Sequence, residues 1–98
     1  MKLHTQKNGT ALTIALAGRL DTTTAPELEA AINDNLNGIT ELTLDFSGLE
    51  YISSAGLRVL LLAQRLMHGQ GGMKVLHCNE IVKEVFDVTG FADILTIE

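Results

Sequence analysis

Two adjacent hydroxyls in Ser53-Ser54-Ala55-Gly56 stand where a loop passes into an apolar-rich stretch of helical spacing. A helix N-terminus carries partial positive charge and unpaired amide protons. A phosphate on Ser54 would gain roughly 0.3–1 kcal/mol from that dipole, while adding about −1.5 to −2 charges to the local surface. The same hydroxyls also suit a plain N-cap, worth ~1 kcal/mol. Nucleophilic catalysis has little support. The pattern G-x-S-x-G is absent around Ser53 and Ser54, and His4, His68 and His77 are scattered over different elements, so nothing pairs a serine with a base. No catalytic residue is expected. His77 and Cys78 could suggest a metal, but neighbours on a strand point to opposite faces and no second cluster supplies ligands. Cys78 reads as a core residue, His77 as a strand-end polar residue, and no metal or cofactor is expected. Gly69, Gly71 and Gly72 close a helix and precede a strand, the reverse of a phosphate loop, and read as a flexible turn.

The element that must hold the serines is a helix from about Ala55 to His68. At 100° per residue, Val59, Leu60, Leu62, Ala63, Leu66 and Met67 gather on one side and should face the core. The other side carries Arg58, Gln64, Arg65 and His68, and among them Leu57 and Leu61. Those two leucines are either an apolar hot spot ringed by polar groups or are covered by a neighbouring helix.

The remaining elements follow from local signals. Leu3 to Lys7 and Thr10 to Leu16 flank Asn8-Gly9, a tight-turn dipeptide, and read as an antiparallel hairpin. Thr24 as N-cap, Pro26 in the first turn and Glu27 start a helix. Its apolar face is Leu28, Ala31, Ile32 and Leu36, and Asn37-Gly38 end it. Leu42 to Ser47 alternates as a strand before a Gly48 loop, and Met73 to Cys78 is a short strand. Asn79 caps a third helix stopped by Gly90, and Ile94 to Ile97 is a last strand. The order β-β-α-β-α-β-α-β predicts an α/β fold: a mixed five-stranded sheet with three helices mainly on one face, in one domain spanning 1–98.

Composition bounds the function. Ninety-eight residues suit one core. The 46% apolar fraction with 4% aromatics builds that core from Leu, Ile, Val and Ala. A net charge of −5 with only 7 Lys and Arg argues against nucleic acid as a partner. The single Cys78 and the lack of an apolar stretch in Met1 to Gln6 point to the cytoplasm. No run approaches the roughly 18 apolar residues that cross a bilayer, so no direct membrane insertion is expected.

Gly18-Arg19-Leu20-Asp21, Leu44-Asp45-Phe46-Ser47-Gly48, Tyr51-Ile52-Ser53-Ser54-Ala55-Gly56-Leu57 and Val88-Thr89-Gly90-Phe91 resemble successive landmarks of STAS domains, especially bacterial anti-sigma factor antagonists. The resemblance covers nearly the whole chain, in order. It implies a partner switch and no enzymatic activity. The dephosphorylated protein would bind an anti-sigma factor that is also a serine kinase, freeing a sigma factor; phosphorylation would end binding, and a PP2C-type serine phosphatase would restore it. The family motif is Asp-Ser-Ser/Thr-Gly with its first hydroxyl modified, which maps to Ser54 here and less well to Ser53. Asp21 and Thr22, Ser53 to Leu57, Arg58 and Leu61 are the expected partner-binding residues, with Asp45 in a supporting loop. One departure is Ser53, where the motif has aspartate. That leaves room for an unphosphorylated STAS interaction subunit of a transporter or signalling complex.

Overall fold

The computed structural model describes residues 1–98. Gly9 takes φ +63°, which glycine adopts without strain, and turns the chain between β1 (Lys2–Asn8) and β2 (Ala11–Leu20). The two strands pair antiparallel from Asn8↔Ala11 to Lys2↔Ala17. After α1 (Ala25–Asn35), β3 (Glu41–Ile52) pairs parallel to β2; after α2 (Ser54–His68), β4 (Gly72–Leu76) pairs parallel to β3. The mixed sheet thus has the order β1-β2-β3-β4.

One face of the sheet carries the core. Leu12↔Leu42↔Met73 and Ile14↔Leu44↔Val75 lie in register and are all buried. Alternation sends Thr13, Ala15, Thr43, Asp45 and Lys74 to the opposite face. Leu28 and Ile32 of α1, Leu60, Ala63 and Met67 of α2, and Val82 and Phe86 of α3 (Glu80–Thr89) join the same apolar cluster. Phe86 packs on Phe46 with ring centroids 6.4 Å apart. The third helix, α3 (Glu80–Thr89), begins where the Asn79 side chain accepts from the Val82 amide at 2.8 Å and ends at Gly90, φ +81°.

Three expectations are corrected. β3 does not stop at a Gly48 loop but runs to Ile52. Between Asp45 and Gly48, and again between Leu49 and Tyr51, it carries one residue more than β2 opposite, so it bulges twice. The fifth strand, expected over Ile94 to Ile97, is absent, so the sheet has four strands. The chain instead tightens into a 3-10 turn at Phe91–Asp93, with the Leu95 amide bonded back to the Phe91 carbonyl at 2.9 Å. Too few residues then remain beside β4 for a ladder, and a single parallel bridge, Val75↔Ile97, is made. Leu57, expected on the polar side of α2, is buried, whereas Leu66, expected inside, is 40% exposed. No helix is long and apolar enough to cross a membrane.

Candidate protein-interaction site

Leu20↔Ile52 is the last matched pair of β2 and β3, so the residues that follow each strand emerge side by side. The Ser53 amide donates to the Leu20 carbonyl at 2.9 Å, fixing the β3–α2 junction to the β2–α1 loop. Asp21, Thr22, Ser53 and Ser54 therefore occupy one edge of the molecule.

Asp21 organises its own loop. Its Oδ1 accepts from the Thr23 amide at 3.0 Å, the Thr23 hydroxyl at 2.8 Å and the Thr24 amide at 3.2 Å. The Thr23 hydroxyl, ahead of the two amides, holds the Asp21 carboxyl below the usual aspartate value, against a smaller opposing effect of desolvation. Thr24 occupies the N-cap position of α1, but its hydroxyl is spent elsewhere, donating to the Arg19 carbonyl at 2.8 Å and accepting from the Asp21 amide at 2.8 Å. Arg19 lies 4.4 Å over the Tyr51 ring, a cation–π contact that ties β2 to β3.

Ser53 is the N-cap residue of α2 and Ser54 its first residue. Neither supplies a side-chain cap. The Ser53 hydroxyl oxygen is buried without a partner, while Ser54 is exposed. The first intrahelical bond runs from the Leu57 amide to the Ser53 carbonyl at 3.0 Å, leaving the amides of Ser54, Ala55 and Gly56 ahead of it. Gly56 is what lets α2 start so close to the sheet. A Cβ there would meet Leu20 Cγ at 2.7 Å and Ile52 Cγ1 at 2.8 Å.

Along α2, Leu57 faces the interior, so of the two leucines only Leu61 is partly accessible. Arg58 is exposed beside it. Leu61, Arg58 and Ala55 line a groove of about 430 Å³ with Ala25, Pro26 and Glu29 of α1 and with Leu62 and Arg65 of α2. The α1 side of this groove was missed in the sequence, although Arg58 and Arg65, seven residues apart, signal a shared helix face. Asp45, expected in a supporting loop, lies instead within β3, at its last matched pair with β4, because that strand continues to Ile52. Its Oδ1 lies 3.0 Å from His77 Nδ1 and accepts from the Ser47 amide at 3.0 Å. The bond with His77, then that from Ser47, lowers the Asp45 carboxyl below its ordinary value. Cys78 is half-buried, and burial pushes its thiol upward.

A mixed four-stranded sheet with helices after β2, β3 and β4, and an exposed serine opening the second helix, describes a small α/β domain. Residues 3–96 match the family model described as "Mlab, STAS domain", and the chain belongs to the STAS family. It is 37% identical, over 99% of its own length and 85% of the relative's, to BtrV of Bordetella bronchiseptica, provisionally named an anti-sigma factor antagonist. Among solved structures, an anti-sigma factor antagonist from Mycobacterium paratuberculosis is similar with a TM-score of 0.88 at 22% identity, covering 98% of this chain and 83% of that one. Bacillus SpoIIAA in its phosphorylated form is similar with a TM-score of 0.77 at 19% identity, covering 99% and 91%.

Proposed function

We propose that this protein is an anti-sigma factor antagonist without enzymatic activity, switched by phosphorylation of Ser54. The observation that carries the reading is its 37% identity, along nearly the whole chain, to a relative named for that role. The unmodified protein binds a serine-kinase anti-sigma factor in the cytoplasm and thereby releases a sigma factor. A PP2C-type phosphatase resets the switch. Three features support Ser54 over Ser53 as the acceptor: it is exposed, it opens α2, and it matches the family's modified position, whereas the Ser53 oxygen is buried. Arg58 lies four residues on, on the same side of the helix. A phosphate on Ser54 would meet that guanidinium and reverse the charge at this end of the binding face.

The test is incubation with the partner kinase and ATP, followed by peptide mass spectrometry and binding measurements. One phosphate on Ser54, with loss of affinity, is expected; Ser54→Ala should bind and resist modification, and Ser54→Asp should bind weakly while staying folded. Equal affinity for wild type, Ser54→Asp and phosphorylated protein would refute the switch. A constitutive STAS interaction subunit is the second reading, favoured by Ser53 standing at the motif's aspartate. No phosphate after exposure to a verified partner kinase would select it.

A further inference from the structure

The chain carries a net charge of −5, yet α2 holds Arg58, Arg65 and His68 and no aspartate or glutamate. By contrast α1 carries Glu27, Glu29 and Asp34, and α3 sets Glu80, Glu84 and Asp87 against Lys83. Both arginines of α2 are exposed, and neither is in an ion pair, the structure's pairs being Arg19–Asp21 and His77–Asp45. Seven residues apart, they lie on one side of the helix, separated by about 10.5 Å along its axis. Half-buried Leu61 and Leu62 sit between them in sequence and line the same groove.

We infer that the α1–α2 groove receives an apolar side chain from an acidic protein segment, two of whose carboxylates engage Arg58 and Arg65. A helix with glutamates seven residues apart and a leucine midway has the matching spacing, because it repeats the geometry of α2 itself. Glu29 lines the groove from α1, so the partner's acids belong over the α2 side. Nucleic acid does not fit: two arginines around leucines offer little to a phosphate backbone, and the whole chain would repel it. The inference rests on α2 facing a protein partner and does not require that Ser54 be modified. It adds the partner's chemistry: an acidic, amphipathic surface attracted electrostatically and seated on leucines.

The experiment uses the intact isotope-labelled protein and two helix-stabilised synthetic peptides, one with that Glu-Leu-Glu spacing and one with lysines replacing both glutamates. In NMR titration the acidic peptide should shift the amides of Ala55, Arg58, Leu62 and Arg65, and the lysine peptide should bind about ten-fold more weakly or not at all. Higher salt should weaken the acidic complex. The double variant Arg58→Gln, Arg65→Gln, whose exposed changes leave the fold intact by circular dichroism, should lose about ten-fold in affinity. Equal binding of both peptides, an unchanged double variant, shifts mapped outside the groove, or no shift at millimolar acidic peptide would each overturn the inference. Because no anti-sigma factor is used, failure here is separate from failure of the proposed function.

Discussion

Replacing Gly56 by Ala would place a methyl carbon 2.7 Å from Leu20 Cγ, 2.8 Å from Ile52 Cγ1 and 2.9 Å from Leu20 Cδ2. Leu20 is fully buried and Ile52 is 2% exposed, so neither side chain has room to yield. Overpacking of this kind costs about 1–3 kcal/mol, and three contacts below 3.0 Å put Gly56→Ala at the upper end. Helix propensity returns at most ~1 kcal/mol. The net expectation is a loss of ~2 kcal/mol, which for a domain of this size lowers the melting temperature by about 8–16 °C. Urea titration and thermal melting measure it. Gly69→Ala is the matched control, since Gly69 has φ −87° and nothing within 4 Å of an added Cβ; it should be neutral or gain ~0.4–1 kcal/mol. A Gly56→Ala protein as stable as wild type would refute the argument that this glycine sets how closely α2 approaches the sheet.

The two leucines of α2 should separate. Leu57→Ala removes a buried side chain and should cost about 2–5 kcal/mol of stability in urea titrations, whereas half-buried Leu61→Ala should cost less and act mainly on partner affinity. Equal stability losses would show that both belong to the core. Acid should destabilise the fold through Asp45, whose carboxyl is lowered by His77 and Ser47. That contribution is present above the unfolded aspartate value of about 3.9 and disappears as pH falls through the lower folded value. Asp45→Asn should therefore show a shallower fall of the urea midpoint on acidification, and parallel curves would refute the linkage.

The hairpin, the three helices and the Asn79 and Gly90 ends were legible because each rests on local residues. β3 was legible only to Ser47, because its two bulges break the alternation: Leu42, Leu44 and Phe46 are spaced by two, but Leu49 and Ile52 follow by three. Leu57 was misplaced for a related reason. The buried line of α2 includes Gly56, Leu60, Ala63 and Met67, and a hydrophobic pattern does not register a glycine as the point of closest approach. The last strand failed because the segment Ile94 to Ile97, apolar but for Thr96, satisfies a strand pattern while its backbone is partly committed to the preceding turn. At the candidate site, Ser54 and Gly56 stood out through the motif, but the α1 wall did not, since it arises only when two helices pack side by side on the same face of the sheet.

The agreement between strand order in space and strand order in sequence bears on how the molecule is made. Each strand beyond the first pairs with the strand synthesised just before it: β2 closes on β1 through the hairpin, and β3 and β4 pair across about thirty residues, as in Ala11↔Glu41 and Glu41↔Gly72. No strand waits for a distant partner, and none is inserted between two already in place. The ribosome can release the sheet edge-first, beginning with a hairpin that closes in about 1–10 μs. Slower parallel additions follow, each bringing the helix that covers it. Growth in this direction leaves β4 as the newest edge, and the single bridge at Ile97 leaves that edge nearly open.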